Sequence, residues 1–119
     1  MYRIKIQSGF ESAHNLRGYK GKCEALHGHN WRVETVVSSS GLDETGMVMD
    51  FKEFKRLLKE TVAELDHKYL NEIDYFKDVN PTSENIAKYI YENLSERIDL
   101  NLEEVTVWET DTSAATYSK

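Results

Sequence analysis

The 119 residues carry a net charge of −6, with 30% charged and 39% hydrophobic side chains, which predicts a single ordinary globular domain spanning 1–119. The acidic balance argues against general nucleic-acid binding through a basic surface. The sequence has no apolar run near the roughly 18 residues of a membrane span, and its one cysteine cannot form an internal disulfide, so we expect a cytoplasmic protein with no membrane partner.

The first predicted element is a half-buried strand that starts at Tyr2, where apolar and polar residues alternate. Ser8-Gly9 interrupts the alternation and predicts a bulge. Beyond the bulge, Phe10 continues the strand, which carries His14 toward its end.

His27 and His29 open a second predicted strand, which ends near Ser38. Side chains two apart on a strand share a face, so the two imidazoles lie side by side, as a metal requires. A third nitrogen ligand, from His14, would leave the fourth position of zinc free for water or substrate. From the residues alone, Cys23 is a fourth ligand of a closed site, a base beside an open one, or a small buried hydrophobe.

The connection between these strands is basic, with Arg17, Lys20 and Lys22 just before Cys23. Folded over the site, the three cations would attract a phosphorylated substrate and lower the pKa of the thiol. A solvated loop with ordinary basic side chains is the alternative.

Two helices are predicted in the middle of the chain. The first has Asp50 as its N-cap and Glu53 three residues later, as in a capping box. The second is opened by Pro81, and the candidates for its cap are Asn80, Thr82 and Ser83. Apolar stripes at helical spacing comprise Phe51, Phe54, Leu57, Leu58, Val62 and Leu65 in the first helix, and Ile86, Ala87, Ile90, Leu94 and Ile98 in the second.

Asp66 and His67 lie at the end of the first predicted helix and place a carboxylate next to an imidazole. Taken alone, such a pair is most often a helix-end cap or a solvated ion pair. Together with a thiol, three metal-type histidines and a carboxylate on the last long strand, it supplies the acid and base for proton transfer beside a Lewis acid.

A strand is predicted from Glu103 to Thr110, followed by a turn and a short last strand through Tyr117. Glu109 continues the parity of the apolar residues in the longer strand. A carboxylate at the end of an apolar row is costly unless something binds it, which makes Glu109 a candidate ligand anchor. The alternative is an exposed glutamate near a strand end.

The order strand, strand, helix, helix, strand, strand predicts an α+β domain, with two helices on one face of a four-stranded antiparallel sheet. Such a sheet has two open edges, which self-association into a barrel would remove.

Six blocks of the chain resemble the 6-pyruvoyltetrahydropterin synthase family, and within it the bacterial and archaeal 6-carboxytetrahydropterin synthases. The blocks are Phe10-Glu11-Ser12-Ala13-His14, Cys23 with His27-Gly28-His29-Asn30, Met49-Asp50-Phe51, Leu65-Asp66-His67 through Leu70-Asn71, Pro81-Thr82-Ser83-Glu84-Asn85 and Trp108-Glu109-Thr110. Three residues separate the cysteine from the first histidine of the pair, as is typical of the 6-carboxy branch, whereas the animal 6-pyruvoyl enzymes have five.

The resemblance implies the tunnelling fold, in which trimeric barrels of such subunits stack as homohexamers with active sites between subunits. It implies one zinc ion per subunit and a role for each matching residue. These are zinc ligation by His14, His27 and His29, catalysis by Cys23, Asp66 and His67, and pterin binding by Glu109, Thr82 and Thr110.

The resemblance also implies the reaction: conversion of 7,8-dihydroneopterin triphosphate to 6-carboxy-5,6,7,8-tetrahydropterin with release of acetaldehyde and triphosphate, in queuosine and deazapurine biosynthesis. A 6-pyruvoyltetrahydropterin synthase acting on the same substrate would use every residue named, and an acetaldehyde assay separates the two. A third interpretation is a non-enzymatic, zinc-stabilised pterin-binding oligomer, which removal of zinc would unfold.

Overall fold

The structure is a computed structural model that describes residues 1–19 and 24–119. Its strands are β1 (Tyr2–His14), β2 (His27–Ser39), β3 (Lys68–Tyr69), β4 (Asn101–Thr110) and β5 (Ser113–Tyr117). Its helices are α1 (Phe51–Ala63) and α2 (Ser83–Ser95), with short 3-10 turns at Leu70–Glu72 and Asp74–Phe76. Within the described ranges, no helix has the length and apolar character needed to cross a membrane.

The strands form one mixed sheet in the order β3-β1-β2-β4-β5. Neighbouring long strands are antiparallel, but β3 runs parallel to β1, pairing Lys68 with Ser12 and Tyr69 with Ala13. The predicted α+β class is confirmed, while the predicted four-stranded, wholly antiparallel sheet is wrong. The strand that the sequence did not predict is β3, which has only two residues, too few for an alternating pattern to reveal it.

The two longest strands, β1 and β2, pair without interruption along their whole length and end at the rung that joins His14 to His27. The predicted bulge at Ser8-Gly9 is therefore wrong. Gly9 permits a close approach of the two backbones instead, because a Cβ at this position would lie 2.7 Å from the carbonyl oxygen of Trp31.

Both helix starts follow from their capping residues. The carboxylate of Asp50 accepts the N–H of Lys52 at the start of α1, as predicted, and Thr82 is the cap of α2. Glu53 does not complete a capping box, because it pairs with the guanidinium of Arg56.

The core lies between the helices and one face of the sheet. The predicted helical stripes are buried there except Phe51, which is 56% exposed. Leu65 and Ile98 are buried beyond the ends of their helices. The inward-facing strand residues of this core include Phe10, Trp31, Val33, Val37, Val105 and Val107. The histidines of β1 and β2 lie on this same face at the end of the ladder, so a packed apolar core supports them from one side.

Candidate metal centre

Three imidazoles converge at the last rungs of the β1–β2 ladder. His14 and His27 are direct cross-strand partners, and His29 lies two residues further along β2 on the same face. The three ring centroids are 4.6 to 5.3 Å apart, and the Nε2 atoms of His14 and His27 are 3.0 Å apart. The ladder register therefore brings together the three histidines that the sequence predicted as metal ligands.

Backbone carbonyls fix which nitrogen of two rings carries the proton. Nδ1 of His14 lies 2.8 Å from the carbonyl oxygen of Pro81, and Nδ1 of His27 lies 2.9 Å from that of Ala25. Because a carbonyl oxygen only accepts, each Nδ1 is the donor, and in the neutral rings each Nε2 presents a lone pair. Two lone pairs facing each other repel, so the arrangement favours a cation between them.

Glu109 joins this histidine cluster from β4. Its Oε1 lies 2.9 Å from Nε2 of His29, 3.2 Å from that of His14 and 4.0 Å from that of His27. The four donor atoms all lie within 4.8 Å of one another. Ligands around a tetrahedral zinc ion are separated by about 3.3 Å, since each bond is about 2.0 Å long. The group therefore has the dimensions of a metal site.

A register irregularity in the β4–β5 pairing, between Trp108 and Thr110, lies at Glu109. Such irregularities re-aim side chains and are common beside active sites. The alternation in β4 predicted that Glu109 lies on the same face as the apolar residues of that strand. It did not predict that the carboxylate contacts the imidazoles.

The surroundings of His29 favour its neutral form. Burial lowers the pKa of His29 despite the nearby carboxylate of Glu109, and the charges of His14 and His27 lower it further. Its buried Nε2 faces Oε1 of Glu109 at 2.9 Å. A neutral imidazole whose Nε2 faces the other candidate ligand atoms is the form that binds a metal ion.

Two asparagine side chains hold the segment that follows β1. The amide of Asn71 accepts the N–H of Asn15 at 3.0 Å and donates to its carbonyl at 2.8 Å. Asn80 makes the same pair of bonds with Arg17, both at 2.9 Å. Each amide thus provides hydrogen-bond partners for the N–H and C=O groups of a residue that follows β1 and lies outside the sheet. Such a long-range contact is not visible in any local sequence pattern.

Asn80 holds the backbone of Arg17 and immediately precedes the proline whose carbonyl orients His14, so we expect Asn80→Ala to weaken metal binding by about 10-fold, the lower end of the loss seen when the support of a ligand is removed. Competition with a chelator measures the affinity. The control is Asn93→Ala, which removes a side-chain bond to the carbonyl of Tyr89 inside α2. Equal metal affinity in both variants would show that the asparagine does not support the metal site.

Arg17, one of the three predicted loop cations, is engaged by the protein itself. Its guanidinium donates to the carbonyl oxygens of Phe76 and Val79, the latter at 2.8 Å. The predicted attraction of a phosphorylated substrate therefore depends on Lys20 and Lys22. These lysines lie outside the described residues, as does Cys23 with its predicted catalytic role.

Asp66 and His67 lie against the edge of β1. Oδ1 of Asp66 accepts the N–H of Glu11 at 2.9 Å, and Oδ2 lies 3.0 Å from Nδ1 of His67. The backbone N–H of Glu11, together with His67, lowers the pKa of Asp66, which stays ionised and holds the imidazole in one orientation. Nε2 of His67 is left facing outward, 3.6 Å from Oε2 of Glu11.

The backbone of His67 has a φ of 54°, in the left-handed region that residues with a Cβ rarely adopt. Its N–H donates to the carbonyl of Glu11 at 2.6 Å. Strain of this kind is concentrated at functional sites, and here it holds a side chain that is 74% exposed.

We expect His67→Gly to be more stable than His67→Ala by about 1 kcal/mol, because only glycine adopts the left-handed conformation without a steric cost. Both variants lack the imidazole, so the difference isolates the backbone. Urea denaturation measures the free energy of unfolding. Equal values would mean that the position is not strained.

Among the described residues, Asp66 and His67 lie outside the group formed by the three histidines and Glu109. Asp66 and His67 line a shallow groove, and His29 lines a second groove beside it. The two grooves share Glu11 and Asn30. The remaining predicted contacts are Thr82, whose hydroxyl accepts the N–H of Asn85, and exposed Thr110 near the end of β4. Their contact with a pterin stays a prediction.

Comparison with known proteins gives a consistent result. A statistical model of one family, described as 6-pyruvoyl tetrahydropterin synthase, matches residues 3–119. A protein of Archaeoglobus fulgidus named putative 6-carboxy-5,6,7,8-tetrahydropterin synthase is 44% identical over 108 residues, covering 91% of this chain and 88% of that protein. The 6-carboxy-5,6,7,8-tetrahydropterin synthase of Synechocystis sp. is 45% identical over 122 residues, covering 98% and 93%.

Among solved structures, Caenorhabditis elegans 6-pyruvoyl tetrahydropterin synthase superimposes with a TM-score of 0.87 at 25% identity, over 99% of this chain and 95% of that one. This likeness confirms the predicted fold of the subunit.

Proposed function

The chain belongs to the 6-pyruvoyl tetrahydropterin synthase family, and we propose that it is a zinc-dependent lyase of the 6-carboxy-5,6,7,8-tetrahydropterin synthase type. It converts 7,8-dihydroneopterin triphosphate and water to 6-carboxy-5,6,7,8-tetrahydropterin, acetaldehyde and triphosphate, in the cytoplasm, for queuosine or deazapurine synthesis. The observation that carries the proposal is the convergence of His14, His27 and His29 at the end of the β1–β2 ladder.

The donor set supports zinc as the metal, since imidazole nitrogens are ligands that suit this ion. His14, His27 and His29 would hold the zinc ion, which would supply a Lewis acid for the side-chain hydroxyl oxygens of the substrate and make the adjacent C–H more acidic. The carbonyls of Pro81 and Ala25 hold His14 and His27 with Nε2 free to bind the ion.

Cys23, as thiolate, takes the proton from that carbon and helps to return it to the pterin ring. Asp66 and His67 handle the proton of the other hydroxyl. His67 acts through Nε2, because its Nδ1 lies 3.0 Å from the ionised carboxylate of Asp66, which fixes the orientation of the ring.

Substrate recognition is assigned to three further residues. Glu109 accepts hydrogen bonds from the amino and ring N–H groups of the pterin, a two-point match that a carboxylate makes well. Thr82 and Thr110 contact the same ring. The exposure of Glu109, about one third of its side chain, leaves it accessible to a ligand.

We propose a homohexamer, a dimer of trimers, with active sites between subunits. The single chain leaves both sheet edges, β3 and β5, unpaired by any other strand of the described residues, and the exposed His67 lies at the β3 edge. A neighbouring subunit would close the edge and complete the site with this imidazole.

Light scattering after size exclusion should give six times the 13.8 kDa of one chain. A monomer with full activity would contradict both the assembly and the shared site.

The reaction itself is tested by incubating the zinc-loaded protein with dihydroneopterin triphosphate and identifying the products by mass. We expect one acetaldehyde per triphosphate released. A 6-pyruvoyl product without acetaldehyde would support the alternative synthase, whose name the Caenorhabditis elegans protein carries. No turnover, with unfolding when zinc is removed, would support the non-enzymatic oligomer.

A further inference from the structure

We propose that Glu109 exchanges partners when the substrate binds: its carboxylate completes the metal site of the free protein and moves to the pterin ring in the complex. The inference rests on the proposed function for the identity of the ring, and on the geometry of the histidine cluster for the metal-bound state. In this proposal, the carboxylate of Glu109 blocks access of the substrate's hydroxyl groups to the metal until it has bound the pterin ring.

The first step is that Glu109 can act as a ligand. One oxygen, Oε1, lies within 4.0 Å of all three Nε2 atoms of the cluster. A second carboxylate nearby, that of Glu24, lies 3.6 Å from Nδ1 of His27, the nitrogen that faces away from the cluster. Among the described residues, the metal-sized group of donors therefore contains one carboxylate.

The second step is that the two roles exclude each other. Binding the amino and ring N–H groups of a pterin uses both carboxylate oxygens of Glu109. Binding a metal takes one of those oxygens and withdraws its electron density. With three imidazoles and Glu109 the metal has four protein ligands, which is a closed site. The carboxylate must leave before a substrate oxygen can enter.

The third step is that the carboxylate can move. Glu109 lies at a register irregularity near the end of β4, and about one third of its side chain is exposed. Its ion-pair contacts among the described residues are with the cluster histidines alone. The histidines, in contrast, are fixed by the long ladder and by backbone carbonyls. A rigid triad with one movable ligand suits an exchange of partners.

The metal-bound state is tested without substrate, with Co²⁺ as the probe. We expect Glu109→Gln to change the visible spectrum of the bound Co²⁺ and to lower its affinity, measured against a chelator, by at least the roughly 10-fold that outer-shell losses cause. The matched control is Glu104→Gln, the same charge change five residues earlier on β4. Affinities and spectra equal to the wild type in both variants would overturn the ligand role.

The exchange is tested by adding unsubstituted pterin, which offers the ring but no side-chain hydroxyls. We expect pterin to weaken Co²⁺ binding, and Co²⁺ to weaken pterin binding by the same factor, because linkage is reciprocal. In Glu104→Gln, which keeps the carboxylate of Glu109, the coupling should equal that of the wild type. Pterin that binds with no effect on Co²⁺ would overturn the exchange alone. No binding of pterin would overturn the proposed function and the exchange, while the ligand role of Glu109 would stand on the metal titration.

Discussion

Cys23→Ala should retain a full complement of zinc and lose turnover by about 100- to 10,000-fold, the usual contribution of a positioned general base. The structural reason is that His14, His27, His29 and Glu109 already supply four donor atoms within 4.8 Å, so the metal has no need of sulfur. A thiolate bound to the metal would also be a poor proton acceptor. Metal analysis and a turnover assay on the same sample measure both quantities.

Cys23→Ser is the matched control, because it keeps the size of the side chain and replaces a thiol by a far weaker acid. We expect it to behave like the alanine variant in both measurements. Loss of zinc together with activity would mean that the thiol is a ligand, and the assignment of Cys23 as base would fail.

His29→Ala should abolish zinc binding and turnover while the chain remains folded. His29 is the best of the three histidines for this test, because its side chain is 22% exposed and no backbone carbonyl among the described residues loses a donor when it is removed. His14→Ala would instead open a cavity at a ring that is 2% exposed and leave the Pro81 carbonyl without its donor.

The expected drop in zinc affinity exceeds the roughly 10- to 100-fold typical of outer-shell partners, because a direct ligand is removed. Circular dichroism and thermal unfolding of the variant should match those of the metal-free wild type. If either metal-free protein is unfolded, the metal is structural and the enzymatic proposal is contradicted.

Much of this architecture was predictable, because local patterns report which face a side chain occupies. The alternation in β2 placed His27 and His29 side by side on one face, Asp50 marked the start of α1, and the cap candidates around Pro81 marked the start of α2 without singling out Thr82. These features depend on residues close in sequence, and local rules apply to them directly.

The errors and omissions concern contacts between distant segments. Gly9 was expected to form a bulge, whereas it lies against the carbonyl of Trp31 on the next strand. The amides of Asn71 and Asn80 satisfy backbone groups more than 50 residues away, and isolated asparagines give no sign of such a role. The left-handed backbone of His67 and the meeting of Glu109 with the imidazoles likewise depend on tertiary placement.

The position of the histidines at the last rung of the β1–β2 ladder has a dynamic consequence. In the metal-free protein the last rung of a ladder opens more readily than its interior, and the rung of His14 and His27 is followed by the connection 15–26, whose closure has an entropic cost. A metal bound across this rung acts as a reversible crosslink that closes the same loop. Amide hydrogen exchange near this end of the ladder should therefore slow markedly on metal binding, while exchange at the Tyr2–Ser39 end stays unchanged.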